Sequence, residues 1–510
     1  MARSAITVTP MDTYNRRLVS HVHPQDWVNP DPAPCYDLVV IGAGTAGLVT
    51  AAGVAGLDLG LKVALVEKHL MGGDCLNVGC VPSKALIRSA RVRGEIQRAP
   101  DYGIVPPASQ VDFFAVMERM RRLRSGISHH DSAQRFQGLG VDVFLGAGAF
   151  MENNTLQVGE HDLRYKKAVI TTGARAFRPP LAGLEAAGYL TNETVFSLTE
   201  QPQRLAVIGG GPIGCELAQT FQRLGSQVFL FERGPQILPR EDPDAAEIVQ
   251  AALVRDGIQL RLNCTLQRVS AEAGGKVLTF REHGQMQSLT VDEILVGAGR
   301  SPNVEGLNLD KVGVDYDLQR GVKVNDYLQT THPHIYAAGD ICMDWKFTHA
   351  ADAAARIVIK NTLFSPFGLG RSRLSQLVMP WVTYTDPEIA HVGLYEHQAQ
   401  DQGIEVNTLV VPMSSVDRAI TDGETEGFVK ILHPKSSDRI LGATVVAPHA
   451  GEMISEITTA MVAQVGLSQM SRVIHPYPTQ AEAIKKAADA YRRTLLTPRT
   501  KMLLKVLTRL

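Results

Sequence analysis

The sequence predicts an α/β fold with two separate parallel β-sheets, each built around a strand-helix-strand repeat. The first repeat begins with an apolar strand pattern at 36–41, continues through a glycine-rich turn and an alanine-rich helix, and ends with a second strand at Glu67. The second repeat has the same order at 205–232 and also ends in a glutamate, Glu232. Parallel strands joined through a helix in this way are typical of sheets that bind dinucleotides.

Length and composition limit the class of protein. A chain of 510 residues is longer than one hydrophobic core usually organises, so we expect two or three domains. The formal net charge is only −1, and no long block of one sign appears, which excludes the basic surface of a nucleic-acid-binding protein. Six cysteines do not make a disulfide framework in a chain of this length, so a reducing cytoplasm fits best. We therefore expect a small molecule or a metal ion as the partner.

The N-terminal region gives no sign of a targeting segment. Residues 1–34 contain Arg16, Arg17 and four prolines after His23, but no apolar core of a signal peptide, so we interpret them as an extended arm. The weakly polar stretch at 38–57 is rich in glycine and is better explained by a nucleotide-binding fold than by a membrane span. We expect no transmembrane helix.

The first glycine-rich turn has the spacing of a dinucleotide fingerprint. Gly42 permits the tight turn, Gly44 lets a pyrophosphate approach the backbone, and Gly47 lets the helix pack closely on the strand. Glu67 follows Gly47 by about 20 residues, a position from which a carboxylate can hold ribose hydroxyls. Strand, helix, second strand and terminal acid together favour a bound dinucleotide.

The second fingerprint repeats this pattern with Gly209, Gly211 and Gly214. Glu232 lies at its ribose position and would repel a 2′-phosphate, which favours NADH over NADPH. The adjacent Arg233 is able to fold over such a phosphate and opposes that preference. As an alternative, Glu232 is a solvated acid at the end of a strand.

Two cysteines lie directly after the first repeat, separated by four residues. We interpret Cys75 and Cys80 as a redox-active disulfide lying against a flavin. Glycines before the pair allow a distorted first helical turn, and Cys80 is then expected at a helix start, where free N–H groups and the helix dipole stabilise a thiolate. The alternative is a pair of buried structural cysteines.

Further segments at 170–174, 299–303 and 335–340 add to the two fingerprints and the dithiol. With them, the chain resembles the class I pyridine nucleotide-disulfide oxidoreductases from about Pro34 to Tyr491, and the mercuric reductase and dihydrolipoamide dehydrogenase branch in particular. The resemblance implies FAD and NAD(P)H as cofactors and an electron relay from nicotinamide to flavin to disulfide. It also places Gly173 and Gly299 in cofactor-binding turns and the Asp340 carboxylate at the ribityl chain of the flavin.

The resemblance also implies the order of the domains. The flavin domain is interrupted by the nicotinamide domain, both are Rossmann-like, and a C-terminal α+β domain forms a homodimer in which each active site borrows residues from the partner. The expected segments are an arm at 1–34, FAD-binding segments at 35–176 and 297–376, the NAD(P)-binding domain at 177–296, the dimerisation domain at 377–490 and a basic amphipathic tail at 491–510.

The resemblance assigns roles to residues beside the flavin. Lys84 lies one helical turn after Cys80 and is expected to pair with Glu216 next to the reactive nitrogen of the flavin. Without the resemblance, Lys84 would be a solvated helix lysine. We expect Cys75 to be the interchange thiol that meets the substrate and Cys80 to be the thiol that touches the flavin.

The segment at 475–482 bears on the substrate. Disulfide reductases have a histidine base where this chain has Tyr477, and they keep a glutamate at the position of Glu482. Mercuric reductases also have tyrosine there, which favours a thiophilic acceptor such as Hg(II), bound by Cys75 and Cys80 with no permanent metal. An N-terminal Cys-x-x-Cys domain and a terminal vicinal cysteine pair, both features of mercuric reductases, have no match in these 510 residues.

Two alternatives to a mercuric-reductase-like enzyme therefore stay open. Dihydrolipoamide dehydrogenase is favoured by Glu232 and opposed by Tyr477, and His475 matches a second histidine that is common in those enzymes. His475 is then either a substitute base or a packing residue. The other alternative is a flavin-bearing redox sensor without turnover. In the tail at 491–510, leucines alternate with basic residues, which suits weak contact with an anionic membrane surface or packing on the dimer.

Overall fold

The computed structural model of the protein describes residue 6 and residues 8–107, 109–152 and 154–508. Residues 1–5 and 7 of the predicted arm and the last two residues of the predicted tail lie outside the described residues. The structure confirms the predicted α/β fold.

The first part of the chain forms a sheet with helices on its faces. Strands β3, β2, β1 and β6 lie side by side in parallel, and β5 and β4 continue the sheet in the antiparallel direction. In chain order the elements are α1 (Thr13–Val22), β1 (Tyr36–Ile41), α2 (Thr45–Ala55), β2 (Val63–Glu67), α3 (Gly73–Asn77), α4 (Cys80–Arg98), α5 (Phe113–Ile127), α6 (Ala133–Gly138), β3 (Val141–Leu145), β4 (Gly148–Met151), β5 (Thr155–Val158), β6 (His161–Ile170) and β7 (Ala174–Ala176).

The middle of the chain forms a second parallel sheet. Its strand order is β10-β9-β8-β14, and an antiparallel meander of β11, β12 and β13 lies beside it. The elements are α7 (Leu184–Ala187), β8 (Arg204–Ile208), α8 (Pro212–Leu224), β9 (Gln227–Phe231), α9 (Pro243–Arg255), β10 (Gln259–Arg261), β11 (Thr265–Glu272), β12 (Gly275–Glu282), β13 (Gln285–Val291) and β14 (Glu293–Val296).

The chain then returns to the first sheet. It passes through β15 (Arg300–Pro302), β16 (Tyr316–Asp317), β17 (Gly321–Val322), β18 (Ile335–Ala337) and α10 (Thr348–Leu363). Strand β18 pairs in parallel with the end of β6, with Ile335 opposite Ala168 and Ala337 opposite Ile170. Helix α10 packs against α2.

The last part is an antiparallel sheet of order β19-β20-β23-β22-β21, covered by helices. Strands β20 and β23 are almost completely buried, as expected for central strands. The elements are β19 (Pro380–Thr383), β20 (Glu388–Gly393), α11 (Glu396–Asp401), β21 (Val406–Pro412), α12 (Asp417–Thr421), β22 (Phe428–Pro434), β23 (Gly442–Ala447), α13 (Ala450–Val462), α14 (Leu467–Met470), α15 (Glu482–Thr494) and α16 (Pro498–Leu507).

The prediction of an extended arm at 1–34 is wrong for α1. Asp12 caps this helix by accepting a hydrogen bond from the Asn15 N–H at 2.8 Å. Leu18, Val19 and Val22 lie on one face of the helix and are buried in the core of the first sheet. The spacing of these three apolar residues is helical, and the prolines that follow α1 concealed the pattern.

The predicted tail is helical: Tyr491, in the last turns of α15, packs against the core of the last sheet, whereas α16 is exposed. No residue of α16 is buried, and Met502, Leu503 and Val506 are all more than half exposed. Across the described residues, no helix combines the length and the apolar character needed to span a membrane.

Candidate active site

Both fingerprints form the same tight strand-to-helix turn. Gly42 has a φ of +105°, and a Cβ on Gly47 would lie 1.8 Å from the Gly42 carbonyl oxygen. At Gly44 the nearest described atom to such a Cβ is 3.8 Å away. Two of these glycines are therefore required by the turn itself, and the middle one leaves space in front of α2.

The second turn reproduces this arrangement. Gly209 has a φ of +109°, and a Cβ on Gly214 would lie 1.9 Å from the Gly209 carbonyl oxygen. Around Gly211 no described atom lies within 4 Å of the corresponding position. Because Gly44 and Gly211 are also the N-cap residues of α2 and α8 and provide no capping side chain, the first N–H groups of both helices remain available to an anion.

The two strand-end glutamates bind the backbone of these turns. Glu67 accepts hydrogen bonds from the N–H groups of Ala43 and His69, both at 2.7 Å. Glu232 repeats this geometry with Gly210 and with the residue two positions after itself, both at 2.8 Å. Burial raises the pKa of Glu67. Each carboxylate keeps further lone pairs, so the ribose role predicted for it is compatible with these bonds.

The cysteine pair lies next to the first turn. Gly72 precedes α3 and Gly73 begins it, with φ values of +91° and +55°, a conformation that favours glycine, and Gly73 packs against Gly44. Cys75 lies within α3, and α4 begins at Cys80, the helix start that the sequence predicts. Both cysteines are free thiols in this structure.

The two sulfurs differ in their electrostatic environment. The hydrogen bond from Cys75 lowers the pKa of Cys80 to about 6, and the Thr348 hydroxyl and the Lys84 charge act in the same direction against partial burial. The same thiol–thiol bond, together with burial, raises the pKa of Cys75. The two shifts run in opposite directions, so Cys80 is the more acidic of the two thiols.

An ion pair whose carboxylate is buried lies one helical turn further along α4. Lys84 Nζ is 2.7 Å from Glu216 Oε2, and the Glu216 side chain is only 7% exposed. Burial alone would lower the pKa of Lys84, but the Glu216 carboxylate raises it on balance. Glu216 also accepts the Tyr384 N–H at 2.9 Å, and the Lys84 ammonium lies 4.3 Å from the centre of the Tyr384 ring. Tyr384 was not among the residues that the sequence predicted for the site.

The segments around Asp340 meet at an arginine. Arg300 lies 3.8 Å from Asp340 Oδ2 and forms a second ion pair with Asp74, the residue before Cys75. Burial raises the pKa of Asp340. Gly173 and Gly299 both have positive φ values and shape the neighbouring turns. The structure therefore brings Asp340 close to α3, the helix that contains Cys75.

The C-terminal candidates form a separate group. The Tyr477 side chain is 71% exposed, and its hydroxyl donates to Asp417 Oδ2 at 2.9 Å, which raises the pKa of Tyr477. The His475 side chain is 6% exposed, with Nε2 2.8 Å from Glu456 Oε1 and Nδ1 3.3 Å from a backbone carbonyl. Glu482 Oε2 is buried with no hydrogen-bond partner among the described residues. Within the described chain, no hydrogen bond or ion pair joins this group to the cysteine pair.

The arrangement fits a flavin dinucleotide better than a resident metal. The open position at Gly44, the free N–H groups of α2 and the nearby Glu67 can hold pyrophosphate and ribose, while Asp340 and the Lys84–Glu216 pair face the region of the cysteines. Among the described residues, no group of three or more His, Cys, Asp or Glu side chains is placed to hold a metal ion.

Known proteins share both the sequence and the fold. The chain is 35% identical over 453 residues to a mercuric reductase of Staphylococcus aureus, covering 89% of this chain and 82% of that protein. It is 34% identical over 462 residues to a dihydrolipoyl dehydrogenase of Chlamydia muridarum, covering 89% and 96% of the two chains. The Cu(II) complex of the HOCl-induced flavoprotein disulfide reductase RclA from Escherichia coli matches with a TM-score of 0.78 at 26% identity, covering 90% of this chain and all of that one.

The match to families of known sequence covers most of the molecule. Residues 36–355 match the family described as pyridine nucleotide-disulphide oxidoreductase, and residues 379–488 match the dimerisation domain of the same family. The expected resemblance is thereby confirmed. The chain belongs to the pyridine nucleotide-disulphide oxidoreductases, enzymes that are FAD-dependent and use NAD(P)H.

Proposed function

We propose that this enzyme uses NAD(P)H to reduce a thiophilic acceptor such as Hg(II) at Cys75 and Cys80. The observation that carries the proposal is Tyr477, which occupies the position of the histidine base of disulfide reductases and hydrogen-bonds to Asp417. A phenol whose pKa is raised in this way is a poor proton acceptor at neutral pH. The 35% identity to a mercuric reductase supports the same substrate class.

In the proposed reaction, different residues of the chain have different roles. When bound, the flavin accepts a hydride from the nicotinamide and supplies an electron pair to the disulfide. The Lys84 ammonium balances negative charge beside the cysteines, and Glu216 balances Lys84 when that charge is absent. Cys75 and Cys80 then offer two soft sulfur ligands, which is the coordination that a soft metal ion prefers.

Acceptance of electrons by Hg(II) needs no proton transfer. The ion takes two electrons and leaves as Hg(0), so a hydroxyl that assists ligand exchange is sufficient near the sulfurs. Reduction of a disulfide instead requires protons to be delivered to, or taken from, sulfur at neutral pH, which histidine does well. In this chain both ring nitrogens of His475 are already engaged, which argues against His475 as that base.

The proposed active form is a homodimer. The match of residues 379–488 to a dimerisation domain supports this assembly. Ile474 is 91% exposed and Tyr477 71% exposed, although both are large side chains, as expected for residues that a second subunit covers. In such a dimer we expect Tyr477 of one subunit to face the cysteine pair of the other.

Dihydrolipoamide oxidation is the second candidate. It is supported by the dihydrolipoyl dehydrogenase of Chlamydia muridarum, of which this chain covers 96%. The 2.8 Å contact between His475 and Glu456 also resembles the imidazole–carboxylate pair that orients a base. For the nucleotide, we propose NADH because Glu232 lies at the ribose position of the second fingerprint.

The test compares acceptors and variants under one set of conditions. Oxidation of NADH and of NADPH is measured with Hg(II) in excess thiol, with lipoamide and with a quinone, for the wild type and for Tyr477→His, Tyr477→Phe and His475→Ala. We expect Hg(II)-dependent oxidation and weak lipoamide turnover in the wild type, and a gain of lipoamide turnover in Tyr477→His. Strong lipoamide turnover that survives Tyr477→Phe but is lost in His475→Ala would establish the second candidate. Absence of turnover with all three acceptors would instead indicate a redox sensor.

A further inference from the structure

Helix α1 lies against the segment that leads into α3. The helix ends before residue 36, where the match to the family begins. At its C-terminal end, the Val22 carbonyl oxygen accepts the Met71 N–H at 3.1 Å. The next residue, His23, donates from Nδ1 to the His69 carbonyl oxygen. The end of α1 is therefore hydrogen-bonded to the chain immediately before α3.

A buried arginine of α5 joins α1 to the other end of α3. Arg124 is only 3% exposed. Its Nη1 donates to the Asn77 carbonyl oxygen at 2.6 Å, and its Nη2 donates to Asn15 Oδ1 at 2.7 Å. Asn15 belongs to α1 and is completely buried. Because Arg124 Nε has no hydrogen-bond partner among the described residues, these two bonds hold the guanidinium in place. We call this chain of contacts the Asn15–Arg124–Asn77 bridge.

Asn77 extends the bridge to both sides of Cys75. Its side-chain amide donates to the Met71 carbonyl oxygen at 3.0 Å and to the Gly73 carbonyl oxygen at 2.9 Å. Helix α3 has only five residues, fewer than a helix needs to be stable by itself. The position of Cys75 therefore depends on the contacts that hold the two ends of α3, and Arg124 provides one of them.

We propose that Arg124 is a positioning residue for α3, and that Asn15 of α1 holds its guanidinium in the position that this role requires. The inference rests on the proposed redox role of Cys75 and Cys80. In that role, NADH supplies two electrons, which break the S–S bond, and one proton, which leaves one thiol and one thiolate. A displacement of about 1 Å between reacting groups can lower a rate by about a hundredfold. Loss of the bridge is therefore expected to slow the transfer of electrons to the disulfide.

The step before this transfer is expected to stay unchanged. Helix α1 packs on α5, in the flavin-binding half of the molecule, whereas the second fingerprint lies between β8 and α8. Reduction of the flavin by NADH takes place on the side of that fingerprint. A positioning role for Arg124 therefore separates the two steps, while a merely structural role changes neither rate once the protein is folded and has bound its flavin.

Variants of α1 isolate the contact with Arg124. Asn15→Leu keeps the approximate size of the side chain but removes the acceptor for Arg124 and the donor to the Pro10 carbonyl oxygen, a bond of 2.7 Å. Asn15→Asp keeps the acceptor and loses only the donor, so the difference between the two variants reports the Arg124 contact. Ser20→Ala on the exposed face of the same helix is the matched control.

The first measurement is hydrogen exchange, read by mass spectrometry, on peptides that span 69–79 in the flavin-loaded protein. Loss of a hydrogen bond to a charged group raises a local opening equilibrium by about tenfold or more. We expect an increase of this size in Asn15→Leu, and exchange as in the wild type in Asn15→Asp and Ser20→Ala.

The second measurement is anaerobic stopped-flow mixing with NADH, in which the absorbance of the flavin reports its reduction and then its reoxidation by the disulfide. In Asn15→Leu we expect unchanged flavin reduction and a transfer to the disulfide that is at least about fivefold slower. Asn15→Asp is expected to restore the transfer rate, and Ser20→Ala to leave it unchanged. If Asn15→Leu is not obtained with bound flavin, Asn15→Ala is measured in its place.

Unchanged exchange and an unchanged transfer rate in Asn15→Leu would overturn the proposal, as would an aspartate variant that behaves like leucine. Faster exchange with an unchanged transfer rate would also overturn it, because the bridge would then be a structural contact only. A wild type that takes up two electrons per flavin from dithionite, rather than four, contradicts the redox role of the cysteines. The exchange at 69–79 then decides whether Arg124 holds α3. Failure to reduce Hg(II) bears only on the proposed acceptor.

Discussion

Replacing Asp12 by alanine removes two interactions of one side chain at the start of α1. Oδ1 accepts the Asn15 N–H at 2.8 Å and caps the helix. Oδ2 accepts from Arg121 Nε at 2.6 Å, and the Arg121 side chain is only 1% exposed. Nearby Arg124 is buried as well, and burial together with the Arg121 charge lowers the pKa of Arg124 to about 10. Asp12 is therefore the anion that balances a buried cationic site.

The expected cost follows from these two contacts. Loss of an N-cap costs about 1 kcal/mol. Removal of one partner from a buried ion pair costs about 3–5 kcal/mol, and the 28% exposure of Asp12 favours the lower end of that range. The sum for Asp12→Ala is about 4 kcal/mol. Asp12→Asn keeps an equally good cap and a neutral hydrogen bond, so it is expected to cost about 2 kcal/mol.

Hydrogen exchange measured by mass spectrometry on peptides from α1 reports this cost locally, without requiring the whole protein to unfold in one step. A loss of about 4 kcal/mol corresponds to roughly a thousandfold increase in the opening equilibrium. The control is Asp352→Ala, which removes an exposed ion pair with Arg356 and is expected to cost at most about 0.5 kcal/mol. Exchange in α1 that rises less than about tenfold in Asp12→Ala would refute the reasoning.

Four further outcomes are expected. Cys75→Ser should keep the long-wavelength absorbance of the partly reduced enzyme and Cys80→Ser should lose it; spectra of the two variants check this, and the reverse result would exchange the roles of the thiols. Glu232→Ala should lose or invert the preference for NADH, measured as kcat/KM with both nucleotides; a wild type that already prefers NADPH contradicts the assignment. Burial lowers the pKa of His391 to about 3. The contribution of His391 to the free energy of unfolding should therefore be fully present above about pH 6.5 and fall by about 1.4 kcal/mol per pH unit toward pH 3. The thermal midpoints at pH 7 and pH 5 should differ less in His391→Gln than in the wild type. Removal of α16 and the residues after it should leave the thermal midpoint unchanged, since no residue at 498–507 is buried; a lowered midpoint would mean that the helix packs on the partner subunit.

The sequence alone was enough to predict those parts of the site in which only glycine fits the backbone conformation. Gly42 and Gly47 are required by a positive φ and by a carbonyl oxygen at contact distance, so their spacing encodes the turn directly. The helix start at Cys80 was predictable for a related reason, because the glycines before the cysteine pair allow the distorted turn that leads into the helix. Such local requirements leave a pattern that a single sequence can reveal.

Other parts of the site depend on contacts between distant segments. Thr348 reaches Cys80, and Tyr384 reaches Lys84, only because separate parts of the chain fold onto α4. Neither residue has a local signal, since threonine and tyrosine are common in many surroundings. Helix α1 was missed for a different reason: the prolines that follow it, and Arg16 and Arg17 within it, outweigh the three apolar side chains that it buries.

The position of β18 has a consequence for the way this protein is made. The sheet of β8, β9, β10 and β14 comes from one continuous stretch of chain, so it can form as soon as that stretch leaves the ribosome. The earlier sheet must wait with the edge of β6 at 168–170 unpaired until β18 has been synthesised. An unpaired strand edge readily joins other chains. We therefore expect nascent chains that stop before residue 335 to aggregate or to bind chaperones, and chains that include α10 to be released from them.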